Sequence, residues 1–139
     1  MSLYIWDTDH LSLHQRDPGL FQQRLNAIPA DKLAITVITV EEQLRGRFLS
    51  ISRVRTDANL LIAYYRLRQT VGALNRYLVL DYDEPANTIF KLLRKQKIRV
   101  KTQDLRIAAI ALSVGGILVT RNAIDFSQVP GLTIEDWSK

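Results

Sequence analysis

Short apolar runs alternate with stretches of helical periodicity along the whole of this chain, and few folds satisfy that order. Residues 3–6, 33–37, 77–80, 117–119 and 132–134 read as strands, brief and apolar, with Leu33-Ala34-Ile35-Thr36-Val37 the most β-branched of them. Helical segments lie between them. Residues 10–16 and 20–28 form two short ones, broken at Asp17-Pro18-Gly19. A third helix starts at Thr39 and runs past Gly46. A longer one covers 54–75, marked by Leu60, Tyr64, Leu67, Val71 and Leu74 at helical spacing; Tyr64, Tyr65, Leu67 and Val71 read as core, or in part as a surface for a partner chain. Residues 83–96 turn Ala86, Ile89, Phe90 and Leu93 inward. The segment that begins near Asp104 and ends at Gly115-Gly116 is apolar nearly all round, which predicts a helix buried on most sides. The alternation predicts an α/β, three-layer domain: a central, mainly parallel sheet of about five strands flanked by helices. A length of 139 residues predicts one domain spanning 1–139.

An apolar fraction of 47% and a charged fraction of 24% are those of a soluble globular protein. Cysteine is absent, which excludes disulfides and thiolate metal sites and fits a reducing cytosol, so a cytoplasmic protein is expected. No apolar run approaches the roughly 20 residues that span a bilayer, and the first residues reach Asp7 too soon for a signal peptide. With 19 Lys and Arg against 14 Asp and Glu, the formal charge of +5 favours association with polyanions.

Acids are the scarcer charge, yet they recur where strands hand over to helices: Asp7 after the first strand, Glu42 after the second, Asp104 opening the most apolar helix, and Asp125 after the fourth strand. Each has an ordinary explanation. Asp7 is a good N-cap, although Thr8 and Asp9 could cap as well. Thr39-Val40-Glu41-Glu42 reads as a capping box in which Thr39 caps and Glu42 reaches back. Asn122 suits a turn or cap, Asp125 suits a cap or a ligand, and Thr120 can donate its hydroxyl to a neighbouring carboxylate. Asp104 is harder to dismiss, because an unpaired charge near a core is costly. The ends of parallel strands converge on one sheet edge. Carboxylates gathered there repel one another unless a cation sits among them, and Mg²⁺ or Mn²⁺ prefers such oxygen ligands. Such ions orient a phosphodiester and lower the pKa of a bound water, so the acids point to a metal-dependent nuclease.

These segments closely resemble the PIN-domain ribonucleases, and among them the VapC-type toxins of bacterial toxin–antitoxin pairs. Ile5-Trp6-Asp7-Thr8 resembles the family's first acidic motif. Ile38-Thr39-Val40-Glu41-Glu42-Gln43-Leu44-Arg45-Gly46 resembles the second, in which the acid lies three residues after Thr and four before Gly, selecting Glu42 over Glu41. Asp104-Leu105-Arg106-Ile107-Ala108-Ala109 resembles the third, an acid opening an Ala-rich helix. Thr120-Arg121-Asn122-Ala123-Ile124-Asp125-Phe126, with Val129-Pro130-Gly131-Leu132 and Glu135-Asp136-Trp137, resembles the C-terminal block. Asp9 stands where the family often has Asn, and Arg106 where an apolar residue is commoner. The resemblance implies an endoribonuclease dependent on Mg²⁺ (or Mn²⁺), with Asp7, Glu42, Asp104 and Asp125 as catalytic metal ligands supported by Thr8, Thr120 and Asn122. It also implies a homodimer and a small antitoxin partner, the two forming a toxin–antitoxin assembly of that size or larger. Attack by a metal-activated water would leave a 5′-phosphate and a 3′-hydroxyl.

Two basic runs flank the acids: Lys91 to Lys101 before Asp104, and Arg45, Arg47, Arg53 and Arg55 after Glu42. Arg45, Lys101 and Arg121 are candidates to contact RNA phosphates; the runs read equally well as solvated helix faces. His10 and His14 stand at zinc-chelating spacing, but no third ligand supports them. Trp137 reads as a packing anchor. Two rivals remain. A non-catalytic RNA-binding PIN-like module predicts RNA affinity indifferent to Asp104 and no cleavage. A phosphoacceptor receiver domain has acids after its third strand, as Asp81 and Asp83 are here, but requires a Lys after the fifth, and only Lys139 follows.

Overall fold

A computed structural model describes residues 2–139. β1 (Tyr4–Trp6) leads into α1 (Thr8–Arg16) and α2 (Gln22–Asn26). After a 3-10 turn at Ala30–Lys32, β2 (Leu33–Thr36) leads into α3 (Val37–Arg53) and α4 (Asp57–Leu74). β3 (Leu78–Leu80) is followed by α5 (Glu84–Lys95) and α6 (Thr102–Val114), β4 (Ile117–Val119) by α7 (Ala123–Phe126), and then comes β5 (Thr133–Glu135). All five strands are parallel, in the order β3-β2-β1-β4-β5. The direction of progression reverses between β1 and β4, and in open α/β sheets ligands bind beyond the carboxyl ends of the strands at such a reversal. The receiver-type order begins 2-1-3 and places its reversal between strands one and three, so this topology excludes that rival.

Strand alternation explains the three layers. Ile5 pairs with Ala34 and Leu118, and all three enter one core with Ala86, Leu93 and Leu105. Their neighbours Trp6, Ile35 and Val119 turn to the opposite face and meet Leu11, Phe21 and Trp137. Both faces of the central strands are thus covered, as parallel sheets require. Trp137 is the anchor its sequence suggested, with its ring 5.7 Å from Tyr4 and 5.9 Å from Trp6. α6 is buried as expected: Leu105 and Ile107 to Ala111 have no exposed surface. It ends where Gly115 takes φ +65°, a left-handed cap that glycine adopts without strain.

Three elements depart from their sequence pattern. α3 starts at Val37, not Thr39, because Thr36 Oγ1 caps it by accepting from the Thr39 N–H at 3.2 Å. Val37, read as strand, is its first helical residue. The inward stripe of α4 is Leu60, Ala63, Leu67, Thr70 and Leu74, so two alternate positions shift by one residue from the pattern read in the sequence. Small Ala63 and Thr70 face α3, where Thr70 Oγ1 accepts from Arg47 Nε at 2.9 Å. Tyr64 and Tyr65 are instead 54% and 56% exposed, which corrects their reading as core. α7 is a four-residue helix too short for a periodic signal.

Gly116 immediately precedes β4, in close contact with β1. A Cβ there would lie 2.7 Å from Ile5 Cδ1 and 3.1 Å from the carbonyl oxygen of Leu3. Ile5 is fully buried and Leu3 O accepts the Ile117 N–H, so neither can yield freely. Gly116→Ala is expected to destabilise the fold by roughly 1–3 kcal/mol. Gly72→Ala, on an open face of α4 with nothing within 4 Å, is expected to stabilise it by up to about 1 kcal/mol. Urea denaturation midpoints moving in opposite directions would bear this out.

Candidate active site

Asp7 continues the β1 ladder, its N–H donating to Val119 O at 3.1 Å, and then caps α1, with Oδ1 accepting the His10 N–H at 2.8 Å. The cap that seemed dispensable is therefore formed by Asp7 itself. Its Oδ2 makes no hydrogen bond among the described residues and is left for the cleft. Glu42 lies in the second turn of α3. With Thr36 as cap, Glu42 takes no part in a capping box; its Oε1 accepts the Thr8 hydroxyl at 2.7 Å. Thr8 Oγ1 also lies 3.0 Å from Thr39 Oγ1. The buried Thr39 thus sits beneath the site rather than at the helix end. Asp104 opens α6, half-buried, with no hydrogen-bond donor to its carboxylate among the described residues.

Asp7, Thr8, Glu42, Asp104 and Asn122 line one cleft of about 550 Å³ beyond the ends of β1 and β4. Asp125 sits at its edge, where Asn122 Nδ2 donates to Asp125 Oδ2 at 2.9 Å while Asn122 Oδ1 caps α7. The cleft resists carboxylate charge. Burial first, then the neighbouring Glu42 and Asp7 carboxylates and to a lesser degree Asp125, raise the Asp104 pKa to about 6, with Lys101 opposing them.

His10 supports this arrangement from behind. It is fully buried and stacked on Phe21 at 5.1 Å. Its Nε2 accepts the Trp137 N–H at 3.3 Å, with Asp136 farther off at 3.7 Å. The ring proton then belongs on Nδ1, which faces Asp7 Oδ1 at 3.4 Å. Asp7, Asp9 and His10 bring possible ligand atoms within 4.8 Å of one another. Two of those donors are already engaged, since His10 Nδ1 carries its proton and Asp9 is bound by Arg121. Asp7, Glu42 and Asp104, which line the cleft together, are the other set of oxygen donors that could hold a cation there.

Ribonuclease VapC1 of Haemophilus influenzae (strain R2866) is 30% identical to this chain over 141 residues, covering 99% of each. This chain belongs to the VapC ribonuclease family. The tRNA(fMet)-specific endonuclease VapC of Salmonella typhimurium is 32% identical over 124 residues, 86% of each chain. The crystal structure of a DNA-bound VapBC from Salmonella typhimurium superposes with a TM-score of 0.76 at 28% identity over 99% of both chains. No family model matches the chain.

Against the VapC pattern, the fold brings Asp7, Glu42 and Asp104 to one cleft, with Asp125 beside it and Thr8 and Asn122 in supporting contacts. Thr120 behaves differently from expectation: its hydroxyl accepts the Asn122 N–H at 2.9 Å and so shapes the turn. Arg45 is turned away, paired with Glu41 at 2.7 Å on the exposed side of α3. Lys101 is exposed at the start of α6, near enough to act on Asp104 by charge. Arg121 grips Asp9 with two hydrogen bonds of 2.7 and 3.1 Å, so that acid is neutralised locally. Arg106 lies over Phe90, 5.4 Å from the ring centroid, away from the cleft. The sequence reading missed the roles of Thr36 and Thr39 and the His10–Asp7 contact; the i, i+3 spacing of Asp7 and His10 was the available signal for the last.

Between about pH 4 and 6 the metal-free folded protein holds a proton on Asp104 that the unfolded chain releases, so stability falls as pH rises through that window. In EDTA, Asp104→Asn is expected to be more stable than the parent at pH 7.5, by about 1 kcal/mol after allowing for solvent screening, and equal to it at pH 4. Denaturation midpoints at the two pH values check this; a difference independent of pH would remove the electrostatic cause.

Proposed function

We propose that this protein is a Mg²⁺- or Mn²⁺-dependent endoribonuclease, the toxin of a toxin–antitoxin pair, hydrolysing RNA phosphodiester bonds at Asp7, Glu42, Asp104 and Asp125. The observation that carries this reading is the convergence of acids at the sheet reversal, with a half-buried Asp104 whose carboxylate has no donor in the protein. A divalent cation would balance that negative charge, and the all-oxygen donor set suits Mg²⁺ or Mn²⁺. The ribonuclease and tRNA endonuclease activities in the names of the relatives support RNA as the substrate.

When bound, the ion would neutralise charge at the phosphodiester and lower the pKa of a water. The chain's own residues set the geometry. The α1 cap holds Asp7 Oδ1 through the His10 N–H, with His10 Nδ1 3.4 Å away, and leaves Oδ2 without a partner for the cleft. Thr8 fixes the Glu42 rotamer by donating to Oε1, so that Oε2 remains free. Asn122 holds Asp125 in the same manner. Asp104 changes least in position, being anchored by the buried α6, and most in charge: a cation favours its ionised form.

The VapBC neighbours support a small antitoxin as partner. Its seat on this chain is proposed as the exposed apolar side of α3 and α4, where Phe48, Leu49, Leu61, Tyr64 and Tyr65 are each more than 40% exposed. A homodimer is part of the same reading, to be read from the solution mass of the purified protein.

Purified protein is expected to cut total RNA into discrete fragments with Mg²⁺ or Mn²⁺, leaving 5′-phosphate ends, and to do nothing in EDTA. Asp104→Asn should lower the rate by at least about 100-fold. RNA binding without cleavage under any metal would favour a binding module instead. Thr8→Val, which frees Glu42 to rotate, should weaken Mn²⁺ binding by about 10- to 100-fold in calorimetry; unchanged affinity would remove Thr8 from its supporting role.

A further inference from the structure

A cluster of positive charge without acid partners lies at the other end of α3 from Glu42. Arg47, Arg53, Arg55 and Arg66 line a cleft of about 570 Å³ between the end of α3 and the first turns of α4, with Ser50 and Asn59 between them and no carboxylate in its walls. Arg53, Arg55 and Arg66 are exposed and make no ion pair among the described residues, whereas Arg24, Arg45 and Arg121 are each paired with an acid. Arg47 is held in place by Thr70. Four guanidinium groups facing one another across an open cleft repel, and the arrangement gains stability when an anion enters.

This cleft is not isolated. A second depression of about 480 Å³ is lined by Thr8, Ser12, Glu42, Gln43, Gly46 and Arg47, among others. It shares Thr8, Ser12 and Glu42 with the carboxylate cleft and Arg47 with the arginine cleft. Gln43, Arg47 and Ser50 recur every three to four residues and so form one stripe along α3. Gly46 lies beside that stripe with no side chain, and a Cβ there would meet nothing within 4 Å. The three depressions make a continuous trough, acidic at one end and basic at the other. Glu42 to Arg53 spans 11 residues of helix, about 16 Å.

We propose that the arginine cleft seats the phosphate backbone of the RNA whose scissile bond lies at the carboxylates, with the strand running along α3 over Gly46. The inference rests on the ribonuclease reading for the identity of the polyanion and goes beyond it by assigning the direction of the strand and the residues that grip it. A single strand is the form that fits, because a groove following one helix offers phosphate contacts and an open side for bases.

The test is binding of a fluorescent single-stranded RNA in EDTA, where nothing is cut, as a function of salt. Arg53→Ala/Arg66→Ala removes one charge from each wall. Arg68→Ala/Arg76→Ala removes two arginines from elsewhere on and just after α4 and is matched in net charge. The first pair is expected to weaken binding about tenfold or more and to flatten the dependence of log Kd on log salt by roughly 1.4; the matched pair should leave the slope near the parent's. Gly46→Glu, which adds a carboxylate to the floor where the fold has room for it, should also weaken binding. The penalty from Arg53→Ala/Arg66→Ala should vanish for a dinucleotide, too short to span the trough.

Equal effects from the two arginine pairs, or an unchanged slope in both, would overturn the proposal. So would a cleft pair that binds RNA normally but loses an acidic protein partner. Because binding is read without cleavage, an inactive parent protein would sink the ribonuclease reading while leaving this result legible: slope lost in the cleft pair alone still assigns the RNA seat.

Discussion

Everything at the candidate site follows from holding carboxylates together in a half-buried place where they would rather not be charged. Asp104 bears most of that cost, with a pKa raised to about 6. The fold compensates through apolar burial on both faces of the sheet. Trp6, Phe21 and Trp137 pack around α1 and the C-terminal segment on one side. On the other, the alanines of α6 let its backbone lie close to Ile5 and Leu118. Fully burying side chains of that size contributes about 1.5–3 kcal/mol each, so a few of them outweigh one disfavoured carboxylate.

The same packing sets which oxygens are free. Asp7 is rigid because one oxygen caps α1 beneath a buried His10, and Glu42 is rigid because Thr8 and Thr39 lie below it. Preorganised ligands lose little freedom when a cation arrives. Charge is also sorted by region. Acids occupy the sheet reversal, Arg121 neutralises Asp9 at the rim, and four arginines without acid partners gather at the far end of α3. A net charge of +5 therefore coexists with a centre that attracts cations.

The fold class was legible because strand and helix patterns are local. Ile5, Ile35 and Leu118 fall in short apolar runs, and the all-apolar stripe of α6 announces a buried helix. Misreadings cluster where two patterns compete. Thr36 and Thr39 both suit an N-cap, and the choice depends on where β2 stops pairing with β3, a contact remote in sequence. On α4, Tyr64 and Val71 fit an apolar stripe as well as Ala63 and Thr70 do. Close approach of α3 favours the small residues, and no property of α4 alone reveals that neighbour.

By itself the sequence determined which segments are strands and helices, and that acids stand at their junctions, because these depend on spacing within a few residues. Only the tertiary structure decided what those acids meet. The reversal between β1 and β4 draws Asp7, Glu42 and Asp104 to one cleft across separations of 35 to 97 residues. It pairs Arg45 with Glu41 and Arg121 with Asp9, and it leaves Arg53 and Arg66 without partners. Pairing and isolation are properties of distance in space, and distance in space is set by how the sheet and helices pack.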